Sequence, residues 1–447
     1  MKKRLALASF LVITSFLVAS CKTGGPQKTQ QIPTTPGILL AHFYDSGFSH
    51  ADDNYNACFQ ASNGKIYYVL ASGSPGVGAQ MYALDPTTGK IQHVGDLTEA
   101  AGEKGLHAIP QGKGHSLFVE FKGKLYFATH VGYYNPSTKK GKEIIGTPPP
   151  GYKPYPGGHF LSYDLQTGKF GNLAKAPAGE GIISFAMDTQ RKRLYGLTWP
   201  SGLFLRYDMQ THKLRNFGPV TKGGEKGIAG STFRVICRIL VVDPLDGSVY
   251  FTTAGGRIFQ YHYNTDSLET VQGCNLRKDV FGCINPSQPG TMGYNWRQAF
   301  WYAPQRIIYA QNGRSGYLFR FDPQKETVDV LTRLASDASR ASGMFDGFEY
   351  GYLGLKLGPD GHTIYLLTGS PAKAPAEPSD ENIHLVTYDI LSGKRVDWGV
   401  LQLENGQRPF FAESMAIGRN GMIYTVSKIR EKGRVRVDLL SFPNPVR

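Results

Sequence analysis

The sequence has few cysteines, and none of them form a pair spaced for a metal. Five cysteines occur among 447 residues, without a CxxC arrangement, and no HExxH motif is present. Both patterns are common zinc signatures, so the chain carries neither of these motif-defined zinc sites. Acidic residues are also few relative to basic ones, 35 against 49, which gives a formal net charge of +14. The composition therefore predicts a basic protein.

Long apolar runs are scarce as well. One run, from Leu5 to Val18, follows three basic residues and precedes two small residues and Cys21. This order is typical of a secretory signal, and its end resembles the bacterial lipobox, in which the cysteine is lipidated. We expect a lipoprotein signal peptide over residues 1–20 and a flexible tether over residues 21–36, which are rich in Gly, Pro, Thr and Gln. An ordinary signal peptide with a chance cysteine is the alternative. No other run is long enough to span a bilayer.

The residue after Cys21 indicates an address in the envelope. It is Lys22 and not aspartate. In the enterobacterial sorting pattern this resembles an outer-membrane address, so we expect a protein of the bacterial cell envelope that is held by its lipid. A basic exported protein is expected to meet anionic polysaccharide or the anionic envelope surface, and not nucleic acid. A basic surface that is merely solvated is the alternative.

Long helical periodicity is also missing, and a repeat of short strands takes its place. Seven times an aliphatic residue is followed by tyrosine inside a short apolar run, at spacings of 55 to 69 residues. A fixed period of this kind is the signature of a repeat architecture. The marker tyrosines are Tyr67, Tyr126, Tyr195, Tyr250, Tyr309, Tyr365 and Tyr424.

Each repeat predicts four antiparallel strands. An apolar run and a Gly-containing turn precede each marker, and in several repeats a Tyr-Asp or Phe-Asp pair with a further turn follows it. We therefore predict an all-β fold, a seven-bladed β-propeller over residues 37–447. The last repeat supplies three strands, so the strand-like segment Gly37–Phe43 is predicted to complete it and close the ring.

Four cysteines follow Cys21. Cys274 and Cys283 flank a loop, and an exported compartment permits a disulfide between them. Cys58 and Cys237 lie in apolar first strands and are predicted to be buried free thiols.

Repeat arithmetic places a set of polar residues at one end of the central channel. In a propeller the first strand of each blade lines that channel and starts on the face where the second strand ends. Counting from the markers to these two points selects residues that we expect to converge. They are Asn56, His115, His130, Trp199, Arg238, Arg297, Tyr352 and Glu413.

This set can bind an anion and move a proton. An arginine pair such as Arg238 and Arg297 holds a carboxylate or sulfate with forked hydrogen bonds, and histidine accepts a proton near neutral pH. Structural alternatives stay open: His115 as a cap of the channel wall, the arginines as bridges between blades, and Glu413 as their neutralising partner. A further alternative is a metal bound by the histidines of the second blade, which are His107, His115, His130 and His159.

Two parts of the chain carry a family likeness. One runs from Ser315–Asp322 through Gly351–Gly354 to His384–Asp389 and resembles a broad group of exported bacterial propellers. The other lies in the second repeat. Gly114–Glu120 and Lys124–His130 look like the histidine-bearing blade of the seven-bladed polysaccharide lyases that act on ulvan. The resemblance implies β-elimination in a sulfated, uronate-containing polymer, with histidine and tyrosine as base and acid and arginine on the uronate carboxylate. By motif His115 and His130 carry over, and Tyr352 is the geometric candidate for the tyrosine.

The leading hypothesis is therefore a monomeric lyase-like protein that acts on an anionic polysaccharide. His115, His130 and Tyr352 would be catalytic, while Asn56, Trp199, Arg238, Arg297 and Glu413 would bind substrate. The rival hypotheses are a non-catalytic propeller that binds glycan or protein on the same face, and an envelope assembly scaffold. The sequence identifies no cofactor.

Overall fold

The computed structural model describes residues 37–134, 148–337, 354–368 and 383–446. All of them fall within one compact unit, residues 35–447. The helical elements bounded within these residues are α1 (Leu97–Ala100) and two 3-10 turns, Gly224–Lys226 and Asp279–Phe281. None of the described helices is long and apolar enough to cross a membrane. The signal peptide, the tether with Cys21, and Tyr352 lie outside the described residues.

Five of the sheets have four antiparallel strands each, in sequence order. The first contains β2 (Cys58–Gln60), β3 (Ile66–Leu70), β4 (Gln80–Leu84) and β5 (Ile91–Asp96). The second contains β6 (Val119–Phe121), β7 (Lys124–Ala128), β8 (His159–Asp164) and β9 (Phe170–Lys175). The third contains β10 (Gly181–Asp188), β11 (Arg193–Trp199), β12 (Leu203–Asp208) and β13 (Lys213–Pro219). The fourth contains β14 (Val241–Val242), β15 (Val249–Thr252), β16 (Ile258–His262) and β17 (Ser267–Thr270). The fifth contains β18 (Trp296–Tyr302), β19 (Ile307–Asn312), β20 (Tyr317–Asp322) and β21 (Thr327–Arg333).

The remaining strands form one sheet of nine strands that joins two repeats through the N-terminal strand. Its first part contains β22 (Gly354–Leu357), β23 (Thr363–Leu367), β24 (His384–Asp389) and β25 (Arg395–Leu403). β1 (Gly37–Phe43) follows β25, and the last repeat follows β1. That repeat contains β26 (Phe411–Ala412), β27 (Ala416–Ile417), β28 (Met422–Glu431) and β29 (Arg434–Pro443).

The marker tyrosines behave as the repeat predicts. Six of the seven lie in the second strand of their repeat. Tyr424 lies in β28, which takes that position because β26 and β27 both pair with it, and all seven tyrosines are buried. In β3 all five residues are buried, because a middle strand packs on both faces against neighbouring sheets. The run of apolar residues around each tyrosine is therefore core packing, and it forms the apolar layers between adjacent sheets.

The N-terminal strand pairs differently from the expectation. At His42 and Phe43 it is antiparallel to β29, as predicted, but over residues 37–41 it is parallel to β25. The parallel register brings Gly37 opposite Gly399, where φ is +111° and an added Cβ would lie 1.7 Å from the carbonyl oxygen of Gly37. A side chain at residue 399 would therefore block this pairing. The sequence predicted that β1 joins the last repeat alone, so it missed the pairing of β1 with β25.

The first strands are shorter than expected. β2 and β6 have three residues each and β14 has two, so the polar residues predicted in them lie in the segments just before the strands. Tyr55 and Asn56 have left-handed φ values of 51° and 76°. This conformation is not that of a strand, so the pairing of β2 with β3 does not extend back to these residues. These segments point their side chains inward without contributing to a strand.

The predicted disulfide is not formed. Cys274 and Cys283 are both free thiols; Cys274 packs at the edge of a core cluster, whereas Cys283 is exposed. The prediction is wrong because loop spacing does not fix the direction of two side chains. Cys58 and Cys237 are buried free thiols as predicted, and burial raises the pKa of Cys58 to about 12.

Candidate functional site

Half of the predicted set converges on a cavity of about 640 Å³. His115, Trp199, Arg238 and Arg297 line it, as the repeat arithmetic required. The sequence missed four further charged or phenolic residues of the wall, which are Tyr55, Lys113, Tyr134 and Glu225.

His115 enters the cavity wall from the segment before β6. Its Nδ1 lies 2.9 Å from the carbonyl oxygen of Ile183, so this nitrogen carries the proton and Nε2 keeps its lone pair. The ring stacks on Tyr55 at 4.8 Å between centroids. Burial, and then the charges of His130 and Arg238, hold the pKa of His115 well below its ordinary value. The imidazole is consequently uncharged at neutral pH and can accept a proton.

His130 lies behind the wall, with its side chain fully buried. Its backbone pairs with that of Lys113 through N–O distances of 2.8 and 2.9 Å, which holds it beside His115. Its Nε2 is 3.2 Å from Tyr134 Oη, and its ring makes an edge contact with Trp199. Burial, Lys113 and Arg238 lower its pKa strongly. His130 therefore contacts Tyr134, and it does not line the cavity as the sequence suggested.

Lys113 is a buried cation at the cavity wall. Its Nζ lies 4.7 Å from the ring centroid of Tyr55, 4.8 Å from that of Tyr134 and 3.5 Å from Asp53 Oδ2. Burial opposes its charge, but the two tyrosines and Asp53 raise the pKa of Lys113 well above its ordinary value. Gly112 permits the close approach of its backbone to that of Gly132, since an added Cβ at residue 112 would lie 2.5 Å from Gly132 Cα. In the sequence, the position of Lys113 between two glycines and directly before Gly114-His115 could have indicated this residue.

Glu225 connects Arg238 to Trp199. It stands in a 3-10 turn, and its Oε1 accepts from Arg238 Nη1 at 2.6 Å while Oε2 accepts from Trp199 Nε1 at 2.9 Å. The Arg238 side chain is 7% exposed. The carboxylate therefore fixes both the guanidinium and the indole at the cavity wall. Glu225, and not Glu413, is therefore the carboxylate that pairs with Arg238.

Asn56 and Glu413 do not line the cavity. Asn56 Oδ1 accepts from Gln298 Nε2 at 2.6 Å, which links the first and fifth sheets. Glu413 is fully buried and lies 3.2 Å from Lys428 Nζ, not beside the arginines. Burial raises the pKa of Glu413 well above its ordinary value. Lys428 also contacts Asp53, so a chain of acidic and basic side chains runs from Glu413 to Lys113.

The histidines of the second blade do not gather around a metal. His159 places Nε2 2.9 Å from Glu103 and Nδ1 2.9 Å from Asn172, away from the cavity. His107 lies on an exposed turn. Within the described ranges no group of three His, Cys, Asp or Glu side chains is arranged to hold a metal ion. Of the four, His115 and His130 are neighbours, with ring centroids 5.6 Å apart.

Comparisons with known proteins define the class of the fold. No protein-family model matches the chain, and no curated protein resembles it in sequence. Among solved structures it is similar to the extracellular domain of a proposed hybrid two-component system from B. thetaiotaomicron. The TM-score is 0.52 at 11% identity, over 90% of this chain and 40% of that one. A proposed 6-phosphogluconolactonase from Bacteroides fragilis gives 0.49 at 11% identity, over 84% and 94%. The strands described above and the first of these likenesses make the chain an all-β protein of the propeller-like class, and the likeness shows the fold alone.

Proposed function

We propose that the cavity catalyses β-elimination in an anionic, uronate-containing polysaccharide. The observation that carries this proposal is the environment of His115. An uncharged imidazole with its accepting nitrogen defined stands in one cavity with two guanidinium groups and a phenol. β-Elimination needs these elements together: a base, a group that neutralises the carboxylate, and an acid for the leaving oxygen.

Each residue has a role in this reaction. Arg297 and Arg238 hold the uronate carboxylate and so acidify the neighbouring C–H bond. His115 Nε2 takes that proton, the electron pair forms the C=C bond, and the glycosidic C–O bond breaks. Tyr134 Oη donates a proton to the leaving oxygen, since burial raises the pKa of Tyr134 and keeps the phenol protonated. Trp199 offers an aromatic face to the sugar, and Tyr134 takes the place that the sequence assigned to Tyr352.

The test is whether the purified protein raises ultraviolet absorbance near the unsaturated-uronate band on a panel of acidic polysaccharides. We expect turnover on at least one uronate polymer and none on a neutral polymer. Binding of an acidic polymer without any rise in absorbance would overturn the catalytic proposal and support the alternative, a non-catalytic module that binds glycan or protein. That alternative is favoured by the ion pair of Arg238 with Glu225, which already holds this guanidinium group at the cavity wall.

We also propose that the seven repeats form one ring of seven blades closed by β1. Support comes from contacts between the first strands of neighbouring repeats, including β2 of the first with β27 of the last. β1 itself bonds to β25 and to β29. Deletion of residues 37–46 should destabilise the whole fold, because this shared strand is lost. A deleted protein that melts at the wild-type temperature would contradict the proposal.

The location is a separate proposal. We infer that Cys21 carries a lipid and anchors the protein in the bacterial outer membrane, on the strength of the lipobox-like sequence Val18–Cys21. Cys21→Ala should appear in the soluble fraction, because one lipid anchor is lost. Retention of this variant in membranes after a salt wash would count against the anchor.

A further inference from the structure

We propose that Lys113 prepares the cavity for proton transfer: its buried ammonium group positions the rings of Tyr55 and Tyr134 and offsets the negative charge that forms on Tyr134 Oη. This inference rests on the proposed function of the cavity. It adds a positioning residue that the sequence had not indicated.

The ammonium group of Lys113 contacts both the tyrosine that stacks on the proposed base and the tyrosine that is the proposed acid. Tyr55, on one side of the ammonium, stacks on the base His115. Tyr134, on the other side, contacts His130 and carries the proton for the leaving oxygen. An ammonium over an aromatic face is attracted by the ring, so both rings are held in fixed orientations. Loss of Lys113 would therefore disturb the base and the acid together.

The cation is itself fixed by its surroundings. The Lys113 side chain is 6% exposed and faces Asp53, which is held in turn by Lys428. The backbone of Lys113 is paired with that of His130. An ammonium enclosed by two rings and a carboxylate is poorly placed to bind substrate, which distinguishes its role from those of Arg238 and Arg297.

The same charge acts on the reacting groups. When Tyr134 gives up its proton, the phenolate forms under an ammonium and is stabilised where water is scarce. Lys113 also disfavours protonation of the two imidazoles, beside the larger effect of their burial. The charged and titratable groups that face His115 and Lys113 are Asp52, Asp53, Tyr55, His130, Tyr134, Arg238 and Arg297.

The test compares Lys113→Met with Lys356→Met in the full chain purified in detergent. Lys356 is a second buried lysine, in β22, and it does not line the cavity. We expect Lys113→Met to lower kcat by about 10²-fold with little change in KM, since misplacement of reacting groups costs about that much. The acidic limb of its kcat/KM profile should move to higher pH. Lys356→Met should change neither.

A second measurement does not depend on turnover. Histidine labelled with ¹⁵N reports the titration of each imidazole, and single His115→Asn and His130→Asn variants assign the two signals. In Lys113→Met both imidazoles should titrate at higher pH than in the wild type. Unchanged titrations would overturn the inference even if kcat falls, because the role would then be structural. If the wild type shows no turnover but the titrations move, the proposed reaction fails while the electrostatic role of Lys113 stands.

Discussion

Two pairs of buried histidines behave differently in this molecule. His115 lines the cavity and His130 lies just behind its wall; both face Lys113 and Arg238, and their pKa values lie well below the ordinary value. His159 and His384, which begin β8 and β24, face carboxylates instead: Glu103 and Asp397 respectively. All four are at most 5% exposed. Burial alone therefore does not decide what a histidine does; the charges around it do.

The second pair belongs to the repeat. His159 and His384 each begin the third strand of a blade, and in each the backbone N donates to a threonine Oγ1 at 2.8 Å. In each, Nδ1 lies 2.9 Å from an oxygen of the residue thirteen positions later, Asn172 or Asp397. Because the same hydrogen bonds occur in two repeats, we infer that these histidines stabilise the repeat. Burial alone would raise the pKa of Asp397, but His384 lowers it below the ordinary value.

The sharpest test of this contrast uses one substitution at both places. Asparagine can keep the hydrogen bond made by Nδ1 but removes Nε2. His115→Asn should lower kcat by about 10²–10⁴-fold with binding of acidic ligand retained, because the proton acceptor is lost. His384→Asn should leave kcat within about threefold, since its Nδ1 bond to Asp397 has no part in the reaction. Initial rates on the same polymer, with binding measured by calorimetry, separate the two. If kcat fell equally in both variants, the proposed difference in role between His115 and His384 would be wrong.

Asp438, a buried acid near the N-terminal strand, shows the effect of burial on a carboxyl group. Asp438 accepts from Ser46 N at 2.7 Å, and burial raises its pKa from 3.8 to about 6. A raised folded-state pKa means that stability is greatest below 3.8 and is lost as pH rises through about 6, by about 3 kcal/mol in total. Asp438→Asn should abolish this part of the pH dependence. Urea unfolding between pH 4 and pH 7 checks it, and parallel curves for the two proteins would contradict the assignment.

The smallest effect is expected at the other histidine of the second pair. His159→Asn keeps a partner for Asn172 but removes the bond to Glu103, which remains in contact with Gln111 and Lys175. Loss of one buried partner of a charged group should lower the free energy of unfolding by about 1–3 kcal/mol. The measurement is the denaturation midpoint, with kcat as the control. A drop in kcat at unchanged stability would mean that His159 serves the cavity after all.

The periodic part of the chain was predictable. Because the middle strands of packed sheets are buried on both faces, each repeat must place an apolar run at a fixed interval, and the tyrosines of these runs occupy second strands as expected. Counting from Tyr126 and Tyr309 was sufficient to bring His115 and Arg297 to one cavity. The spacing could not tell that Asn56 and Glu413 point behind the wall, since a strand position does not fix the direction of a side chain in the irregular segment before it.

By itself the sequence determined the strand period, the marker tyrosines and the histidine-bearing second blade, since local alternation and turn chemistry encode them. The tertiary structure alone decided which charges surround each histidine. Lys113 meets Tyr134 twenty-one positions later, and Glu225 meets Arg238 and Trp199 from a separate turn. It also decided that β1 pairs with β25 and that Cys274 and Cys283 stay apart. Such encounters depend on how loops from different repeats pack together around the cavity, and no local pattern in the chain records that packing.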